Sequence, residues 1–186
     1  MKNNPIMKMG VVLFAVCLVA GILLGGANAL TEELIAEKKE SVNQAAYAKV
    51  LPGATDLTLM DLDYDETTYS RISEVYESSA GYAIKVIGKG YAGDDIEIAI
   101  GLDKSGTVTG MSIISHSETP GLGANATNES FLNQYVGKNA SSQLTVVKNG
   151  ASSDTQIDAL TGATKTSNGV TDAVNLVFRF YQQYLA

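Results

Sequence analysis

The chain has 186 residues and a formal net charge of −7, enough for one domain and one further segment. Its acidic balance argues against nucleic acid or anionic lipid as the partner of its surface. A single cysteine, Cys17, excludes an intramolecular disulfide, and with a single histidine, His116, the chain has no zinc ligand set and no Cys–His nucleophile.

Taken in chain order, residues 10–30 (GVVLFAVCLVAGILLGGANAL) carry no charge. The run is close to the ~20 residues that cross a bilayer as a helix. Lys2 and Lys8 precede it, and Glu32 and Glu33 follow it. The positive-inside rule then predicts a single-pass membrane protein with residues 1–9 in the cytoplasm and everything after Leu30 outside the cell membrane. A cleaved signal peptide is the competing reading, because Ala27-Asn28-Ala29 fits a small-x-small cleavage site. The apolar run is longer than the usual ~7–15 residues of such a peptide. Either way the remainder is exported, and without its two N-terminal lysines the charge of −7 becomes −9.

Residues 31–51 are predicted as a juxtamembrane helix, rich in Ala, Glu and Lys and stopped by Pro52-Gly53. The segment 52–186 is the exported domain. It opens with weak strands near Asp56–Leu62 and Tyr69–Glu77. Tyr82, Ile84 and Val86 alternate with smaller or polar residues, as do Ile96, Ile98 and Ile100, and a third strand covers Thr107–Ser115. The expectation is an antiparallel meander with one face buried. A short helix at Glu129–Val136 and a strand near Leu144–Lys148 follow. From Val170 the apolar residues recur at 170, 173, 174, 177, 178, 181, 184 and 185, the stripe of an amphipathic helix. The fold class is therefore α+β, an antiparallel sheet with packed helices behind a single N-terminal transmembrane helix.

Two glycine-containing loops carry the possible chemistry: Glu118-Thr-Pro-Gly-Leu-Gly123 and Asp158-Ala-Leu-Thr-Gly-Ala-Thr-Lys-Thr-Ser-Asn-Gly169. The second leads into the last helix, with Thr166, Ser167 or Asn168 as prospective N-cap. A helix N-terminus presents unpaired N–H groups and a partial positive charge, to which Lys165 and the hydroxyls of Thr164, Thr166 and Ser167 add. The set suits a phosphate, but on the residues alone an ordinary capped helix behind a glycine turn is the favoured account. His116 reads as a hydrogen-bonded strand-end residue.

Residues Asp158–Thr166 resemble the Asp-x-x-[Ser/Thr]-Gly-Ala-Thr-x-Thr flavinylation motif of the FMN-binding domain family, and Glu118–Gly123 is similar to that family's second signature. Gly90-Tyr-Ala-Gly93, the Gly-Leu-Asp-x-x-Gly turn and Phe131…Gly137-Lys138 fall in the same order. Thr161 stands where serine is commoner, and Lys165 at a variable position. The resemblance implies FMN bound covalently through a phosphoester to Thr166 and attached by a flavin transferase that uses FAD. Asp158, Thr161, Gly162, Ala163, Thr164, Lys165 and Ser167 would surround the phosphate and ribityl chain. Glu118, Thr119, Gly121, Leu122 and Gly123 would wall the ring, with Leu122 its apolar contact.

Length and the single anchor look most like the G subunit of Rnf-type complexes. That implies an electron-transfer subunit among other subunits of a membrane complex linking ferredoxin and NAD⁺ to Na⁺ or H⁺ translocation. The redox chemistry would belong to the cofactor, with no catalytic residue and no metal in the chain itself. Alternatives are the C subunit of the Na⁺-translocating NADH:quinone oxidoreductase or a stand-alone extracytoplasmic flavoprotein. An anchored surface module without cofactor would not account for the two flavin signatures.

Overall fold

The computed structural model describes residues 5–186; Lys2 and the side chain of Glu33 lie outside the described residues. The chain forms two units, one ending at Val42 and one running from Asn43 to Ala186. The first unit belongs to helix α1 (Pro5–Val50). Over residues 10–30 its uncharged run is exposed all round, Leu13, Phe14 and Leu24 among the exposed side chains. A helix of that kind is stable where its surroundings are also apolar. The segment is long and apolar enough to cross a membrane, with a mean hydropathy of 2.5 over 18 residues.

The second unit is built on a five-stranded antiparallel sheet in the order β1 (Thr58–Leu59), β2 (Ile72–Ser78), β3 (Gly81–Lys89), β4 (Asp95–Asp103) and β5 (Val108–Ser115). The meander is the one expected from the alternating isoleucines and valines: Ile84 pairs with Ile100, and Ile100 with Met111. Those residues lie in one core with Val170, Ala173, Val174, Val177 and Phe178 of helix α3 (Thr164–Tyr184). Gly88 and Gly169 mark the closest approach, where a Cβ on Gly169 would fall 1.8 Å from the carbonyl oxygen of Lys89.

The opposite face is not solvated, contrary to the expectation of one buried face. The end of α1 covers it, with Tyr47, Val50, Ala83 and Ala99 in a second apolar cluster. Small residues make that possible, because a Cβ on Gly101 would meet the carbonyl oxygen of Val50 at 2.0 Å. Beside this cluster Lys85 is 5% exposed and pairs with Glu74 at 3.3 Å and Glu97 at 3.2 Å. A buried ammonium needs such partners. Tyr47 Oη donates to Glu74 at 2.6 Å, tying the helix end to the sheet.

The elements between β5 and α3 fix the site. A 3₁₀ turn (Gly123–Thr127) follows the Glu118–Gly123 loop, and α2 is only Glu129–Leu132, shorter than the expected Glu129–Val136, which leaves Val136 43% exposed. Strand β6 (Thr145–Val147) pairs in parallel with β7 (Gln156–Asp158), a strand that three residues of mixed character do not announce. Helix α3 begins six residues before Val170, so the first turn contains Thr166.

Burial alone would raise the Glu74 carboxyl, but the hydrogen bond from Tyr47 and the charge of Lys85 outweigh it and hold it below its ordinary value of 4.5. A lowered carboxylate contributes stability that is present above the ordinary value and lost as pH falls through the folded one. Urea unfolding of the wild type is expected to show stability declining below about pH 4.5, and Glu74→Gln a shallower decline. An equally steep decline in the variant would remove Glu74 from this role.

Candidate functional site

The two glycine loops of the sequence meet at the start of α3. From β7 the chain makes the turn Leu160–Ala163, closed by Ala163 N–H donating to Leu160 O at 3.0 Å. Gly162 occupies φ 75°, a conformation that side chains rarely adopt. None of the three expected N-cap residues is the cap. Ala163 holds that position without a side-chain bond. Ser167 closes the turn from inside the helix: its Oγ accepts Leu160 N–H at 2.9 Å and donates to Ala163 O at 3.0 Å. The turn therefore feeds straight into α3, whose first N–H groups at Thr164, Lys165 and Thr166 have no intrahelical acceptor.

The residues of this loop divide by role. Thr166 is 1% exposed, while Thr161, Gly162, Thr164 and Lys165 lie on the surface. Asp158 points elsewhere: its Oδ1 accepts Ala151 N–H at 2.8 Å, bracing the end of β7. Thr119 and Gly121 act through backbone: Thr119 O accepts Leu122 N–H at 3.1 Å and Ala124 N–H at 3.2 Å, and Gly121 O accepts the Asn125 amide at 3.0 Å. His116 Nδ1 accepts Glu118 N–H at 3.2 Å, in line with its reading as a hydrogen-bonded strand-end residue.

Contact between the loops is made by Glu118 and Leu122. Thr166 Oγ1 donates to Glu118 Oε2 at 2.5 Å, and Tyr91 N–H donates to Glu118 Oε1 at 2.9 Å. Gly123 packs against both oxygens of the Thr166–Glu118 pair, and Leu122 leans on Gly162. Leu122 and Tyr91 are 45% and 69% exposed, and the Lys165 ammonium lies 5.3 Å from the Tyr91 ring. Tyr91 was not singled out from sequence as a site residue. An aromatic side chain inside a glycine-bounded turn was its only local signal.

An open groove of about 420 Å³ runs beside this point, lined among others by Arg71, Lys89, Tyr91, Lys165 and Asn168. Of the residues expected to surround a ligand, only Lys165 lines it; the Glu118–Gly123 loop does not.

Residues 90–178, which hold every part of this arrangement except Arg71 and Lys89, match the FMN-binding domain. Over 192 residues the chain is 34% identical to the G subunit of the Na⁺-translocating ferredoxin:NAD⁺ oxidoreductase complex of Acetobacterium woodii, covering 95% of this chain and 92% of that protein. The chain belongs to the FMN-binding domain family, among the G subunits of ion-translocating oxidoreductases. A second relative, the G subunit of the proton-translocating ferredoxin:NAD⁺ oxidoreductase complex of Clostridium ljungdahlii, is 33% identical over 158 residues, which cover 85% of this chain and 82% of that one. The fold is shared with the crystal structure of the C subunit of the Na⁺-translocating NADH-quinone reductase from Parabacteroides distasonis, with TM-score 0.61 and 20% identity over 81% of this chain and 95% of that one.

The residues present fit a flavin phosphate. A helix N-terminus with free N–H groups suits an anion, Lys165 adds charge, and the buried Thr166 hydroxyl lies in the first turn. The groove volume also falls in the roughly 300–1,000 Å³ range of ligand pockets.

Ser167→Ala removes the acceptor of Leu160 N–H and is expected to destabilise the domain by about 1–3 kcal/mol, the cost of a stranded donor. Denaturant unfolding checks this; unchanged stability would mean that the turn is not held by Ser167.

Proposed function

We propose that this chain is a membrane-anchored electron-transfer subunit of an ion-translocating ferredoxin:NAD⁺ oxidoreductase, carrying FMN through a phosphoester to Thr166. The observation that carries the reading is the Thr166 hydroxyl, buried in the first turn of α3 and held by a carboxylate from the second family signature. Family membership supplies the class of complex, as both relatives named above are subunits of ferredoxin:NAD⁺ oxidoreductases. The likeness to the C subunit of NADH-quinone reductase is one of fold and supports no rival assignment.

When bound, FMN would supply the electron transfer; the chain supplies tethering, position and surroundings. A helix dipole alone contributes only ~0.3–1 kcal/mol to holding an anion, too little to retain a soluble cofactor outside a cell. A covalent bond to Thr166 removes that difficulty. The N–H groups of the first turn and Lys165 offset the phosphate charge, Gly162 and Ala163 leave room along the turn, and Leu122 and Tyr91 offer exposed apolar and aromatic surface to a ring.

In this reading residues 1–9 are cytoplasmic, 10–30 span the membrane, 31–51 form the juxtamembrane helix, and 52–186 form the extracytoplasmic FMN-binding domain. Partners are the other subunits of the complex and, during maturation, a flavin transferase.

Co-expression with a flavin transferase, followed by denaturing electrophoresis, is expected to give a fluorescent wild-type band and a dark Thr166→Val band. Fluorescence in the variant would move the attachment elsewhere, and its absence from the wild type with an active transferase would remove covalent flavin. For topology, protease added outside intact cells is expected to degrade the domain, and protection would reverse the orientation.

A further inference from the structure

A threonine hydroxyl is a weak nucleophile at neutral pH until a neighbouring base takes its proton. Thr166 has such a neighbour. Its Oγ1 lies 2.5 Å from Glu118 Oε2, within the reach required of a general base. His116 is already engaged through Nδ1 by Glu118 N–H, and Lys165 extends over the Tyr91 ring.

The carboxylate is gripped from every side that matters. Oε1 accepts the backbone N–H of Tyr91 at 2.9 Å, which leaves Oε2 facing Thr166. A Cβ on Gly90 would lie 1.9 Å from Oε1, and one on Gly123 would lie 1.9 Å from Oε2 and 2.7 Å from Thr166 Oγ1. Neither position admits a side chain while the carboxylate is there. The turn after β3, the loop after β5 and the start of α3 thus converge on one acidic group.

We infer that Glu118 is the general base for flavinylation of this chain, an inference that rests on Thr166 being the attachment point. The co-reactant is a flavin adenine dinucleotide presented by the transferase. Thr166 Oγ1 bonds to the flavin-side phosphorus, the pyrophosphate P–O bond breaks, and AMP departs with the bridging oxygen. The Thr166 proton passes to Glu118 Oε2, and no electrons change hands. Because Thr166 is 1% exposed, the donor reaches Oγ1 only when its cover opens, while Tyr91 N–H holds Glu118.

The test uses unmodified full-length chain in detergent with purified transferase and FAD, and follows the mass of the intact protein over time. Glu118→Gln keeps the size and one acceptor oxygen for Tyr91 N–H, but it turns an amide N–H toward Thr166 Oγ1 and cannot accept the proton. It is expected to gain the FMN mass about 100-fold more slowly than the wild type, the smaller end of a general base's contribution, with an unchanged melting temperature. Glu118→Ala is expected to be as slow and to be accelerated by added formate, which replaces a base but not a latch. Glu118→Gln reacting at the wild-type rate or faster would overturn the proposal, leaving Glu118 only a latch. If Glu118→Gln melts early, the formate ratio in Glu118→Ala decides, and no acceleration overturns it. A wild-type chain that gains no mass would overturn the Thr166 reading and this inference together.

Discussion

The close approach of α3 to the backbone of β3 is the constraint on which the site depends. Gly169 sits where any side chain would strike the carbonyl oxygen of Lys89, and Gly88 faces it from the strand. Helix and strand are therefore in direct backbone contact at the strand's end. Less than one turn earlier in the helix, Thr166 is carried to the loop that leaves the sheet after β5. A bulkier residue at 169 would push the helix start outward and separate Thr166 from Glu118. The apolar stripe of α3 supplies the driving force for that approach, and burial of each such side chain is worth roughly 1.5–3 kcal/mol.

The opposite face of the same sheet serves a second purpose. There Tyr47 and Val50 pack over Ala83 and Ala99, while Lys85, Glu74 and Glu97 form a buried charged group beside them. Apolar contact gives adhesion, and the hydrogen bond from Tyr47 to Glu74 gives register. One sheet is thus covered by the end of α1 on one side and by the helix that bears Thr166 on the other.

Much of this was legible in the sequence. Period-two isoleucines and valines marked β3 and β4, and the stripe from Val170 marked α3, because both patterns report one-sided burial. The pattern fell short where burial is two-sided or local. Alternation could not reveal that Ala83, Lys85 and Ala99 are covered, since small or charged residues read as solvent-facing. The pairing of β6 with β7 rests on a few backbone bonds. The true start of α3 escapes a search for the usual side chain before the helix, because Ser167 closes the turn from within. Within the site, the resemblance pointed to Thr166 and to the loop from Glu118 to Gly123. What it could not express was the bond between Thr166 and Glu118, 48 positions apart, or the seat that Tyr91 and two glycines make for the carboxylate. Asp158, though part of the motif, braces β7 against Ala151.

The most direct measurement is fragment-ion mass spectrometry of the proteolytic peptide ending at Arg179 from flavin-loaded protein. It distinguishes Thr166 from Thr164, Ser167 and Thr171, hydroxyls that share the first turns of α3 but make no hydrogen bond to Glu118. The FMN mass is expected on Thr166 alone. Its localisation to any of the other three, or release of all flavin on denaturation, would contradict the assignment of Thr166 as the tether.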